Sequence, residues 1–186
     1  MNRATLLILV LMASMSAVGC SMVAPKYTAS LESVQKIKDS DAGTVNVGSF
    51  QSTPAKDNQE SISLRGSSLL SPYGSYASYL AEALRQELSL AGKLAPDAQV
   101  QVTGTLQKND IDIPPVGSGH GDITARFVVA RAGVSKYDEV KTAHDEWDSS
   151  FVGAVAIPRA QQEYPILVQK LLAVLYADPA FFEALK

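Results

Sequence analysis

The stretch from residue 99 to residue 107, Gln-Val-Gln-Val-Thr-Gly-Thr-Leu-Gln, places apolar and polar side chains in alternation. Because successive side chains of a β-strand point to opposite faces, this period of two predicts a strand with one face on a core and one in water. The same alternation returns over residues 123–129 and in a third run over residues 136–151. Short connections join the three runs, so the sequence predicts an antiparallel three-strand meander.

The third run has a clear inner and outer phase. Tyr137, Ala143, Trp147 and Phe151 share one phase, and the polar residues between them share the other. We therefore expect Trp147 to pack between the sheet and a long helix.

Residues 71–91 follow the helical period instead, with apolar side chains three or four positions apart. Ser71 and Pro72 favour a helix start there, since serine caps free N–H groups and proline suits the first helical position. Gly92 is the expected stop. We interpret the tyrosines of this stripe as core residues, because phenol rings contribute large buried areas.

A second helical stripe covers residues 160–175, and Asp178-Pro179 predicts the start of a short last helix. Pro165 lacks the N–H that a helix interior requires, so we expect a kink or a helix start near it.

The segments before residue 71 predict their secondary structure less clearly. Residues 44–50 predict a first strand, and residues 60–64 permit a short second strand that could pair with the first. Residues 21–43 are rich in Ser, Ala, Lys and Asp, which indicates a spacer with about two turns of weak helix. The sequence thus predicts one α+β domain over residues 44–186, an antiparallel sheet packed by two long helices.

The first twenty residues have the pattern of a secretory signal. Arg3 is followed by an uncharged apolar run over residues 6–12 and then by small residues. This run is too short to span a bilayer of about 30 Å, so residues 1–19 are predicted to be a signal peptide that is removed.

The end of this segment, Gly19-Cys20, resembles the bacterial lipobox. The resemblance implies that the Cys20 thiol is diacylated, by palmitate-like chains, and that the chain is cut before it. It also implies outer-membrane sorting, because Ser21 stands where inner-membrane retention usually needs Asp. Two acyl chains make a lasting anchor, since each buried methylene contributes about 0.8 kcal/mol. Residues 20–43 are therefore predicted to be a lipidated tether, with the domain facing the periplasm.

Composition excludes several other classes of protein. The 186 residues carry 16 basic and 19 acidic side chains, and removing Arg3 with the signal leaves 15 against 19, a net charge of −4. This balance argues against a nucleic-acid partner. A single Cys cannot form a disulfide within the chain.

The sequence offers few candidate sites for metal binding or catalysis. His144, Glu146 and Asp148 alternate on one predicted strand face, but same-face neighbours lie about 6.5–7 Å apart, so a solvated face is the preferred interpretation over a metal site. The glycine-rich residues 117–121 precede a strand and contain no Lys, which favours a hairpin connection over a phosphate-binding loop.

Nucleophilic and calcium sites are no better supported. Ser67 and Ser68 follow a glycine without completing a nucleophile motif, and the chain has only His120 and His144 as possible bases. Asp110 and Asp112 lack the spacing of a calcium loop, which favours a polar strand end. We therefore expect no enzyme activity, no metal and no cofactor.

The order of lipobox, tether, strand, long helix, meander and long helix resembles small periplasmic accessory lipoproteins of the lipopolysaccharide-assembly or ABC-transport auxiliary type. The resemblance implies a non-enzymatic scaffold with an envelope protein partner. Two alternatives stay open. One is a lipid- or glycan-binding module using the groove between the long helix and the sheet, and the other is a hydrolase.

Overall fold

A computed structural model describes residues 21–53 and 61–186 as an α+β protein. The strands within these ranges are β1 (Ser21–Val23), β2 (Val45–Ser52), β3 (Ser61–Leu64), β4 (Ser67–Leu70), β5 (Val100–Asp112), β6 (Gly119–Arg131) and β7 (Val134–Trp147). The helices are α1 (Leu31–Asp39), α2 (Tyr76–Leu90), α3 (Gly153–Ala177) and α4 (Pro179–Ala184).

The main sheet has the strand order β2-β5-β6-β7. Strands β5, β6 and β7 are antiparallel neighbours in sequence order, whereas β2 lies parallel to β5. The prediction of a wholly antiparallel sheet packed by two long helices is therefore only partly correct. The sheet is mixed because α2 lies between β2 and β5 in the chain and provides the crossover that parallel neighbours require.

A second sheet, with the order β1-β4-β3, was not predicted. Strand β3 pairs antiparallel with β4 rather than with β2, which corrects the pairing expected for residues 60–64. The cause is the turn between them, where Arg65 and Gly66 both have positive φ, of 49° and 86°. Two consecutive left-handed residues form a tight two-residue hairpin, and this closes β3 onto β4.

Residues 21–43, expected to be a spacer, carry β1 and α1. Strand β1 pairs parallel with β4, and Ala24 and Tyr27 after it are buried. Helix α1 buries Val34 and Ile37, two of the residues whose spacing indicated a weak helix. The part of the expected tether that the structure describes is thus packed on the domain.

Helix α2 begins at Tyr76, five residues after the predicted cap. The N-cap is Ser75, whose side chain accepts from the N–H of Ser78. Ser71 instead uses its hydroxyl in a turn, donating to the carbonyl of Ser75. The prediction for the other end is confirmed, since α2 ends at Leu90 and Gly92 has φ +71°.

Helix α3 begins at Gly153 and contains both Pro158 and Pro165. Of the two outcomes expected at Pro165, a helix start there is therefore wrong, and a kink stays a prediction. The predicted last helix is present as α4, where the Asp178 side chain accepts from the N–H of Ala180.

The core lies between the helices and one face of the main sheet. Helix α2 packs on β2 and β5, and α3 packs on β6 and β7. Trp147 is buried, with 6% of its surface exposed, as its phase predicted. Phe151 shares that phase in sequence but is 77% exposed, because β7 ends at Trp147 and the alternation no longer applies beyond it.

Candidate functional site

The outer face of the main sheet carries a small charged cluster. Asp122 Oδ1 lies 2.9 Å from His144 Nδ1, and its Oδ2 accepts from Lys108 Nζ at 3.0 Å. These two hydrogen bonds lower the pKa of the Asp122 carboxyl below its ordinary value. The ring of His120 lies 6.1 Å from that of His144, so both histidines of the chain meet on this face.

His144 and Asp122 have the residue types of a general base and of the carboxylate that orients it. Its surroundings differ from those of an active site, because it lies on an open sheet face and the His144 side chain is 55% exposed. Ser67 and Ser68, the serines considered as nucleophiles, belong to β4 in the second sheet. The structure therefore does not assemble these residues into a catalytic triad.

The predicted row of metal-ligand types is only partly formed. Glu146 follows His144 on the exposed phase of β7, whereas Asp148 lies beyond the end of that strand. Over residues 21–53 and 61–186, no group of three or more His, Cys, Asp or Glu side chains is arranged to hold a metal ion. Asp110 and Asp112 lie at the C-terminal end of β5, at exposed positions paired with Asp122 and His120 in the strand register.

The glycine-rich stretch has a packing role. Strand β6 already begins at Gly119, so only residues 117 and 118 belong to the connection before it. A side chain at Gly119 would place its Cβ 2.5 Å from Nε1 of Trp147, and one at Gly121 would place it 2.9 Å from Leu167. These glycines let α3 and the Trp147 ring approach the sheet closely.

Sequence reasoning missed a pair of buried acids between β7 and α3. Asp145 is buried and paired with Lys170, and Glu163 is buried and paired with Arg159 at 2.6 Å. Burial raises the pKa of the Glu163 carboxyl, and the Arg159 charge opposes this shift. The signal that could have found Asp145 is its position on the inner phase of β7, two residues before Trp147.

A second feature missed from the sequence is the environment of Arg65. Its guanidinium donates to four backbone carbonyls, at distances of 2.7–3.0 Å. The carbonyls belong to Ile113, Pro114, Ser150 and Phe151. Arg65 therefore joins the β3–β4 turn to the β5–β6 connection and to the segment before α3.

Cys20 and residues 1–19 lie outside the described residues, so the signal peptide and the lipidation stay predictions. None of the helices in the described part of the chain has the length and apolarity needed to span a membrane.

The sequence matches no known family model and no curated protein. Solved structures with a similar fold do exist. Protein XCC0632 of Xanthomonas campestris, described under the family model DUF330, superposes with a TM-score of 0.56 at 9% identity, over 84% of this chain and 95% of that one. Protein CT253 of Chlamydia trachomatis gives a TM-score of 0.51 at 12% identity, over 76% and 97%.

A minor lipoprotein of Acinetobacter baumannii is a more distant match, with a TM-score of 0.40 at 10% identity over 74% of this chain and 90% of that one. At such identities, the two closer matches show a shared fold, and functional roles must be argued from this chain's own residues.

Proposed function

We propose that this chain is an outer-membrane lipoprotein, anchored through acyl chains on Cys20, whose domain acts in the periplasm as a non-enzymatic scaffold or accessory subunit for an envelope protein. The observation that carries the proposal is the sequence Gly19-Cys20 after an apolar signal run, followed directly by Ser21 at an exposed position of the edge strand β1. An anchor at Cys20 is compatible with this fold, because the chain meets the domain at its surface.

The non-enzymatic part of the proposal is supported by the outer sheet face. A general base needs a substrate held within hydrogen-bond reach and shielded from water. His144 is open to solvent, Asp122 is partly exposed, and Lys108 already binds one oxygen of the Asp122 carboxylate.

The groove considered for a lipid or glycan lies between the helices and the main sheet. The core-facing sides of α2 and α3 carry fully buried aromatic side chains there, with the ring of Tyr164 4.8 Å from Tyr76 and 5.0 Å from Tyr79. A ligand there would have to displace these rings, which favours the scaffold over the binding module.

The anchor is tested by labelling growing cells with a palmitate analogue. The wild-type chain should incorporate label and fractionate with the outer membrane, whereas Cys20→Ser should lose both. Ser21→Ala is the matched control, because it changes the neighbouring residue and keeps the thiol. An unlabelled wild-type chain would refute the proposed anchor.

The sorting and the partner need separate tests. Ser21→Asp should move the labelled protein to the inner membrane, because Asp at this position is the usual retention signal of the lipoproteins that this segment resembles. Crosslinking of the lipidated protein in intact cells should capture an envelope protein. If only lipid is captured, the binding-module alternative gains support.

A further inference from the structure

The first described residues leave no room for a flexible spacer after Cys20. Ser21 pairs with Ser68 in the second sheet, and Tyr27 is buried six residues later. In the sequence Cys20 directly precedes Ser21, the first residue of β1. An acyl anchor on Cys20 is therefore attached directly to the folded domain.

Two hydrogen bonds fix the direction in which the chain approaches. Gln161 Nε2 donates to the carbonyl of Val23 at 2.6 Å, and Gln169 Nε2 donates to that of Thr28 at 2.7 Å. The N-terminal segment thus runs alongside α3 in the same direction. Two residues of a strand span about the same length as four residues of a helix. Counting back from Val23, which lies beside Gln161, therefore places Ser21 level with the first turns of α3.

Exposed apolar side chains gather at this end of the domain. Phe151, Val152 and Val155 lie before and within the first turn of α3, and all three are exposed. Val116, in the β5–β6 connection, is also exposed. We call these four residues the docking end.

Arg65 holds the docking end together. Its guanidinium binds the carbonyls of Pro114 and Phe151, and so joins the two segments that carry the exposed residues. Arg65 itself precedes β4, the strand on which Ser21 is paired. The Phe151 side chain is exposed, but its backbone is fixed, because its carbonyl accepts a hydrogen bond from Arg65.

We propose that the docking end lies on the bilayer that receives the acyl chains of Cys20, with Phe151 and Val155 inserted at the membrane surface. The inference rests on the proposed lipidation. The occupant is lipid because the anchor, attached without a spacer at this end, brings the bilayer against it. The contact between the docking end and the bilayer is made by apolar side chains. Charge does not drive it, because the net charge of −4 after signal removal gives the chain no general attraction to anionic lipid.

The test uses the full lipidated chain in vesicles of phosphatidylethanolamine and phosphatidylglycerol. Cys20 is the only cysteine, so Val155→Cys introduces one free thiol for an environment-sensitive fluorophore once Cys20 is acylated. Val134→Cys is the matched control, because both valines are 58% exposed. Val134 opens β7 at the opposite end of the main sheet, about 40 Å away along thirteen strand residues.

Nitroxide-bearing lipids are then added as quenchers. Apolar faces at membrane surfaces insert by about 5–10 Å, so the label at 155 should be blue-shifted and should lose more emission than the label at 134. Equal loss at the two positions, in protein whose acyl chains are verified by mass spectrometry, overturns the docking inference and leaves the anchor standing. Absence of acyl chains in that mass spectrum refutes the proposed function itself, and the docking inference with it.

Phe151→Cys provides a second readout at the same end. Its label should also be quenched more strongly than that at 134, and circular dichroism of each variant verifies that the domain is folded. If labels at 151 and 155 both remain water-exposed in a folded, acylated protein, the docking end does not contact the bilayer.

Discussion

The phenol of Tyr27 donates a 2.6 Å hydrogen bond to Oε1 of Glu87 and so ties the N-terminal segment to α2. The same oxygen accepts from the N–H of Ser30 at 3.0 Å. Glu87 is fully buried, and this desolvation raises the pKa of its carboxyl above the ordinary value. One buried carboxyl therefore holds both Tyr27 and the start of α1 on the domain.

We expect Glu87→Ala to destabilise the protein, because the buried Tyr27 hydroxyl loses its acceptor. An unsatisfied buried group costs about 1–3 kcal/mol, before any loss from the cavity. Glu87→Gln keeps an acceptor oxygen at the same distance and should be tolerated much better. Urea denaturation of both variants measures the difference, and equal losses would show that the Tyr27 hydrogen bond contributes little.

The raised pKa of Glu87 also predicts a pH dependence. Above its ordinary pKa of 4.5 the unfolded chain releases this proton, while the folded chain retains it up to a higher pH. The folded state then binds more protons, so stability falls as pH rises through this window. Glu87→Gln removes that contribution. Wild type should therefore gain stability relative to Glu87→Gln as pH is lowered towards 4.5, and a pH-independent difference between the two would contradict the assignment.

Trp147 and Gly119 should be energetically coupled. Trp147→Ala is expected to cost about 3–5 kcal/mol, and the native tryptophan should resist quenching by iodide. Gly119→Ala should cost about 1–3 kcal/mol by overpacking, since its Cβ would lie 2.5 Å from the indole nitrogen. In the Trp147→Ala background this second cost should shrink, because the ring is gone. A double-mutant cycle of denaturation free energies measures the coupling, and additive effects would exclude it.

The outer sheet face should be dispensable for folding. We expect His120→Ala with His144→Ala to change stability by no more than about 0.5 kcal/mol, and to preserve complementation of a deletion strain. Loss of His144 removes the largest cause of the low pKa of Asp122, so that pKa should rise, as NMR titration can measure. In the wild type, ionised Asp122 stabilises the fold, and this contribution is lost as pH falls through the lowered pKa of Asp122. In the double variant the contribution should be smaller. Loss of complementation by a well-folded double variant would instead support the hydrolase alternative.

Arg65→Lys should loosen the docking end although it preserves the charge. An ammonium group cannot span the four carbonyls that the planar guanidinium reaches, so hydrogen exchange at the amide of Val152, which donates to Ser150 Oγ, should accelerate. Arg126→Lys is the matched control, because Arg126 pairs with Asp138 at an exposed position where such pairs contribute about 0–1 kcal/mol. Equal protection in both variants would mean that Arg65 does not hold these segments.

The sequence by itself determined the elements whose pattern is local. A period of two depends only on which face of a strand is apolar, so the three long strands and the burial of Trp147 were predictable. The glycine stop after α2 and the proline start of α4 follow from backbone conformations of single residues. The motif at Gly19-Cys20 is likewise local, which is why the predicted anchor rests on sequence alone.

Only the tertiary structure decided which elements meet. The pattern of residues 44–50 shows an apolar face but not that β2 lies parallel to β5. The sequence favoured Ser71 as the cap of α2, whereas in the structure Ser75 caps the helix and Ser71 belongs to the turn before it. Arg65 and Glu87 bind partners 48 or more residues away in the chain. Such contacts depend on where distant backbone groups come together, and a periodicity read over ten or fifteen residues carries no information about that distance.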